Sequence, residues 1–332
     1  MHAGRRFTLR QVIYWTRRDI QFFVIYSIVI TSLYFFLHLN WLIIPWVAIG
    51  LVGTAAAFLI GFKNTQTYNR TWEARQIWGA IVNSSRTWGI LVKDTVNGGE
   101  DEIRKLFYRH FAWLTALRYQ LREFRTWETT QLASNIEFSN FYTVPEKETK
   151  LEDELSKYLS EEELKFILTK KNKAAQLIAM QSSHLRKLRD SGKLSELDFI
   201  ELQRTLSAFY ENQGKSERIK NFPYPRQFAT VNQMFVRLFI AILPFGIIQE
   251  FSKLSTSVGE YFVWATVPCT VIVAFVFHLM ERIGEATENP FEGGANDVPI
   301  SAISRGIEID LRDMLNEKDL PSPLAPKNDI LL

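Results

Sequence analysis

The chain carries few of the residues and motifs that most enzymes depend on. It has a single cysteine, Cys269, so neither an intrachain disulfide nor a cysteine metal cluster can form. The five histidines are scattered, and no two have the spacing of metal ligands. No HExxH, Walker A, GxSxG or GxGxxG motif is present. We therefore expect a protein that is not an enzyme and that binds no cofactor.

A strong excess of charge of one sign is also missing. The formal net charge is +3, which is too small to suggest a nucleic-acid partner. Arginines precede the first apolar run, and that run is longer than the core of a signal peptide and lacks a convincing cleavage site. We expect no nucleic-acid binding and no cleaved leader.

What the chain does have is four apolar stretches of membrane-spanning length. Residues 20–39 and 42–62 contain no charged side chain, and each has about the 20 residues that a helix needs to cross a bilayer. Two more stretches, 228–248 and 261–280, lie near the other end of the chain. Arg237 interrupts the first of these, so it either faces the interior of a helical bundle or lies near the membrane surface.

The distribution of lysine and arginine predicts the orientation of these stretches. Five arginines precede the first stretch, and the loop between the first two has none. Positive residues favour the cytoplasmic side, so we expect both termini and the central region in the cytoplasm. The predicted segments are a cytoplasmic N-terminal segment (1–19), a transmembrane hairpin (20–62), a cytoplasmic helical region (63–226), a second hairpin (227–281) and a cytoplasmic C-terminal loop, helix and tail (282–332).

The polar regions have helical periodicity with few specific signals. Residues 147–173 carry dense charge of both signs and are typical of a solvated helical pair. A helix over 195–212 is expected to end near Gly214. In the C-terminal region, 303–315 predicts an amphipathic helix that packs on the helical region, and the residues after it look disordered. The acidic loop over 285–297 is either a site for a hard cation or a plain surface turn.

A stripe of three side chains closes the second apolar stretch. Thr54, Phe58 and Phe62 are four residues apart and therefore share one face of a helix. In a ring of such helices they would form a narrow hydrophobic throat, which is a known way to gate ions. The alternative is a membrane helix that packs through its glycines while its aromatic residues face lipid.

Several motifs in a fixed order resemble the bestrophin family, in particular its bacterial branch. They are Gly61-Phe62, the run 68–75 (YNRTWEAR), Trp78-Gly79, Pro223-Tyr224-Pro225, and the pair 288–291 (ENPF) and 296–299 (NDVP). The resemblance implies an all-α membrane protein with four transmembrane helices and a large helical cytoplasmic region. It also implies a homopentameric ring in the bacterial inner membrane, around one central pore.

The resemblance also assigns roles to single positions. The pore neck of the family falls on Thr54, Phe58 and Phe62, with threonine where a bulky aliphatic residue is usual. The cytoplasmic aperture of the family falls on Leu197, with Leu194 as the alternative.

A third set of positions matches a calcium loop. Animal relatives bind calcium in the loop after the last membrane helix, which Glu285, Asn289 and Asp297 match here. Because residues 293–295 are Gly-Gly-Ala in place of acids, we expect no metal and no calcium activation.

These features predict an ion channel whose partners are monovalent ions, the lipid bilayer and copies of itself. The likeness to the bacterial branch favours cations, and the alternative is a chloride channel of the same architecture. A hydrophobic neck does not itself select the sign of an ion. A membrane-anchored interaction protein without channel activity is the alternative from another functional class.

Overall fold

The computed structural model describes residues 1–332, and its regular structure is helical. The α-helices are α1 (Leu9–Leu37), α2 (Trp46–Thr95), α3 (Glu100–Arg122), α4 (Ala133–Ser139), α5 (Pro145–Glu148), α6 (Leu151–Leu155), α7 (Glu161–Leu168), α8 (Lys173–Asp190), α9 (Glu196–Asn221), α10 (Arg226–Val258), α11 (Thr266–Ala286) and α12 (Ile300–Met314). Two 3₁₀ segments, Asn40–Leu42 and Glu260–Ala265, lie before α2 and α11. Four helical segments are long and apolar enough to cross a membrane. The prediction of an all-α chain with four such helices is confirmed.

The membrane-length helices extend beyond the apolar stretches that mark them in the sequence. Helix α1 begins at Leu9, after a capping box between Thr8 and Gln11, and not at residue 20. Helix α2 runs for 50 residues and passes through Phe62 without a break. Hydropathy detects only the apolar part of a helix, whereas polar residues such as those after Phe62 continue the same backbone hydrogen bonding.

The chain divides into two compact units. The apolar unit consists of Arg6–Asn69 and Pro223–Glu288, and the large unit consists of Met1–Arg5, Arg70–Phe222 and Asn289–Leu332. Helix α2 contributes its first part to the apolar unit and its second part to the large unit.

In the apolar unit, α1, the first part of α2, α10 and α11 pack around a core of large side chains. That core includes Phe23, Ile49, Ile60, Phe239 and Leu243. The side chain of Arg237 on α10 is exposed and does not enter this core. Small hydroxyl residues are fully buried on α1 and α11: Ser27, Thr31, Thr266 and Thr270. Small residues of this kind allow membrane helices to approach closely.

In the large unit, α3 packs against α6, α8, α9 and α12. The core contains large aromatic side chains, and Trp78, Trp88, Trp113 and Phe107 are almost completely buried in it. Residues of α12, such as Ile307 and Leu311, belong to the same core. The prediction that the helix over 303–315 packs on the helical region is therefore confirmed, with bounds Ile300–Met314.

Three local predictions are wrong. Helix α9 continues through Gly214 to Asn221, and Gly214 has no positive φ angle of the kind that ends a helix. Residues 147–173 form short helices that bury Leu155 and Ile167 in the core, so they are not a solvated pair. The segment after α12 is ordered: Leu332 is buried, and its carbonyl accepts a hydrogen bond of 2.8 Å from the Ala302 backbone N–H.

Candidate functional site

The three side chains of the predicted neck lie on one exposed face of α2. Phe58 is 75% exposed and Phe62 is 48% exposed, and Thr54 is exposed on the same side. The Thr54 hydroxyl donates a hydrogen bond of 2.9 Å to the Gly50 carbonyl one turn earlier. Ala56 and Ile60 occupy the opposite, buried face. Within one chain, the aromatic face is therefore left open.

A buried ion pair lies on the far side of α2 from this face. Lys63 Nζ lies 3.1 Å from Glu281 Oε1 of α11, and both side chains are about as buried as core residues. The sequence analysis did not single out either residue. The available signal was a lysine directly after an apolar stretch, which the positive-inside rule explains equally well without a partner.

The two candidates for the cytoplasmic aperture differ sharply in exposure. Leu197 is the second residue of α9 and is 77% exposed, whereas Leu194 is 3% exposed and belongs to the core of the large unit. Ser195 caps the helix, because its Oγ accepts a hydrogen bond of 3.2 Å from the Asp198 backbone N–H. Of the two leucines, only Leu197 offers an apolar side chain to its surroundings.

The predicted calcium-loop positions hold ion pairs and hydrogen bonds within the protein. In the apolar unit, Glu285 Oε2 lies 3.0 Å from Arg282 Nη1 one turn earlier on α11. In the large unit, Asp297 is buried, and its Oδ2 accepts a hydrogen bond of 2.7 Å from the Gly293 backbone N–H and one of 3.2 Å from Arg122 Nη1.

A second carboxylate of this loop is also enclosed. Glu292 accepts hydrogen bonds from the Thr129 hydroxyl (2.7 Å) and the Thr129 backbone N–H (2.9 Å), and Asn289 Nδ2 lies 3.4 Å from it. Burial, together with the negative charge of Asp297, raises the pKa of Glu292 to about 8. Across the chain, no three His, Cys, Asp or Glu side chains form a group that could hold a metal ion.

Comparisons with known proteins agree on one family. The family model described as Bacterial/Fungal Bestrophin protein matches residues 6–313. The voltage-dependent anion channel-forming protein YneE of Salmonella typhi is 28% identical over 279 residues, which cover 83% of this chain and 79% of that protein. The voltage-dependent anion channel-forming protein RSc3414 of Ralstonia nicotianae is 26% identical over 302 residues, or 89% of this chain and 86% of that protein.

A solved structure has the same fold. The crystal structure of a bacterial bestrophin homolog from Klebsiella pneumoniae matches with a TM-score of 0.76 at 23% identity, covering 90% of this chain and 98% of that one.

Proposed function

Because the chain belongs to the bacterial and fungal bestrophin family, we propose that it is a membrane ion channel that assembles as a homopentamer around a central pore. The observation that carries the proposal is the aromatic face of α2: it lies on a membrane-length helix, and it is exposed in the single chain. A ring of copies would bring these faces together around an axis. The names of the curated relatives, which describe channel-forming proteins, support the same function.

In this proposal Thr54, Phe58 and Phe62 form the neck of the pore. Bulky apolar rings at a constriction exclude water when the passage is narrow, so they oppose ion passage without carrying any charge. Leu197 forms the second constriction, at the cytoplasmic aperture. Its exposure at the first turn of α9, in contrast to the burial of Leu194, supports the choice between the two leucines.

For the permeant ion, we propose monovalent anions such as chloride. The expectation of a cation channel has no support from the comparisons, because the curated relatives are named anion channel-forming proteins. The phenylalanines of the neck are uncharged, so they are compatible with either sign.

The orientation and location remain those that the sequence favours. We propose that the protein lies in the bacterial inner membrane with both termini in the cytoplasm, because lysine and arginine flank the membrane-length helices on that side. The segments 1–19, 63–226 and 282–332 are then cytoplasmic, and the hairpins over 20–62 and 227–281 span the membrane. The protein works as a conduit for ions and not as an enzyme.

The test is ion flux through the purified protein in liposomes or planar bilayers under a potassium chloride gradient. We expect the reversal potential to follow the chloride gradient and to shift when gluconate replaces chloride. A potential that follows potassium would restore the cation assignment. Native mass spectrometry should give five copies, and a pentamer that passes no ions would favour a membrane-anchored interaction protein.

A further inference from the structure

The buried pair Lys63–Glu281 is unusual for its surroundings. Its side chains are 4% and 5% exposed, and it joins α2 to α11 inside the apolar unit. Charges withdrawn from water next to the ends of membrane-spanning segments are costly, and an apolar pair of similar volume often serves stability equally well. Stability alone therefore does not explain why an ion pair occupies this position.

Further polar contacts join α2 to α11 and to Thr287, the residue that follows α11. Asn64 Nδ2 donates a hydrogen bond of 3.0 Å to the Met280 carbonyl, and the hydroxyl oxygens of Thr67 and Thr287 are 3.1 Å apart. Directional bonds therefore join residues 63, 64 and 67 to α11 and its C-cap Thr287, so they oppose rotation of α2 about its axis more strongly than apolar packing would.

A glycine of α11 also lies against α2 next to the pair. A Cβ atom at Gly284 would lie 2.2 Å from Asn64 Oδ1, so a larger residue here requires the Asn64 amide to move. A residue larger than glycine at position 284 would therefore disturb the Asn64 side chain, which bonds α2 to α11.

Fixing one face of α2 also fixes the opposite one. At 100° per residue, Lys63 lies about 140° around the axis from Phe58, which is nearly the opposite side of the helix. We propose that the Lys63–Glu281 pair is a rotational lock of α2, and that Lys63 and Glu281 are positioning residues for Phe58 and Phe62. This inference rests on the proposed function, because it makes the pair a determinant of the neck.

The experiment places a spin label at position 58 of the full chain, using Phe58→Cys in a Cys269→Ser background. Electron paramagnetic resonance in liposomes then measures collisions of the label with oxygen, which enriches in lipid, and with a water-soluble nickel chelate. The ratio reports which environment residue 58 faces, whether or not the protein conducts ions. The variants are Lys63→Met, Glu281→Gln, and the charge swap Lys63→Glu with Glu281→Lys.

We expect each single variant to change the collision ratio by about twofold or more, and the charge swap to restore the ratio of the intact pair. Single-channel conductance, measured in chains that retain Phe58, should change in the single variants and return to the wild-type value in the charge swap. Lys253→Met is the matched control, because Lys253 pairs with Glu250 at 2.9 Å on an exposed surface of the same unit. A collision ratio that is unchanged in both single variants would overturn the proposal.

If the single variants fail to assemble, Gly284→Ala tests the proposal instead, because it disturbs the same contact without leaving a charge unpaired. We expect it to change the collision ratio, and an unchanged ratio would again overturn the proposal. A wild-type protein without ion flux counts against the proposed channel function alone, because the collision ratio still tests the orientation of α2.

Discussion

Arg122 and Asp297 form an ion pair inside the large unit: Nη1 of the guanidinium lies 3.2 Å from Oδ2 of the carboxylate, with 2% and 0% of the two side chains exposed. The Nε atom of Arg122 also lies 3.6 Å from Glu146 Oε2. A fixed cation therefore faces Asp297, a carboxylate of the loop where animal relatives are expected to hold calcium.

We expect channel activity to be independent of calcium at micromolar concentrations. A tight calcium site needs about six to eight oxygen ligands, and here Asp297 is engaged by Arg122 while residues 293–295 carry no carboxylate. A calcium titration in a planar bilayer measures the open probability directly. Reversible activation by added calcium would contradict the prediction.

Arg122→Met should destabilise the protein by about 3–5 kcal/mol, because it leaves the buried Asp297 without its counterion. Thermal or denaturant unfolding measures the loss. Arg86→Met is the control, since Arg86 pairs with Asp310 at 2.7 Å on an exposed surface, and we expect it to cost no more than about 1 kcal/mol. Equal losses of unfolding free energy in the two variants would show that the buried Arg122 pair stabilises the protein no more than the exposed Arg86 pair.

Replacing both Phe58 and Phe62 by alanine should raise ion flux. The substitution removes the rings that narrow the neck, and the helix should persist because alanine is the best helix former. Flux into liposomes gives the readout. Phe36→Ala, at an exposed phenylalanine of α1, should leave flux unchanged. Unchanged or lower flux in an intact pentamer would mean that the two rings do not face the pore.

Leu197→Ala should change single-channel conductance or ion preference without loss of expression, because its side chain is exposed and contributes little to the core. Leu194→Ala is the matched comparison: Leu194 is buried, and we expect about 2–5 kcal/mol of destabilisation from the cavity it leaves. If Leu197→Ala lowers thermal stability but conducts ions normally, Leu197 does not form the aperture.

His110 should make stability depend on pH. Burial lowers its pKa to about 3. The ring is held neutral among aromatic residues, with its Nε2 at hydrogen-bond distance (2.9 Å) from Ser85 Oγ. Because the unfolded chain binds the proton at about pH 6.5, this contribution to stability is complete above that pH. It falls by up to about 1.4 kcal/mol per pH unit down to pH 3.

Unfolding midpoints measured between pH 7 and pH 4 should therefore fall less steeply in His110→Gln than in the wild type. His38→Asn, at an exposed histidine, should follow the wild-type slope. The role of His110 would be refuted if His110→Gln kept the wild-type slope.

Local patterns in the sequence were enough to predict several features. Four apolar stretches predicted the membrane-length helices, helical spacing predicted the helix over 303–315 and its packing, and the motifs from Gly61 to Pro299 identified the family. These features are readable because hydrophobic periodicity and motif order are properties of neighbouring residues.

The tertiary structure alone decided which polar residues meet. Lys63 and Glu281 are 218 residues apart, and Arg122 and Asp297 are 175 apart. No local pattern records such a contact, because each residue taken alone resembles an ordinary solvated charge. The same reason applies to Leu194 and Leu197. The sequence does not distinguish these two leucines, whereas the packing buries Leu194 and leaves Leu197 exposed.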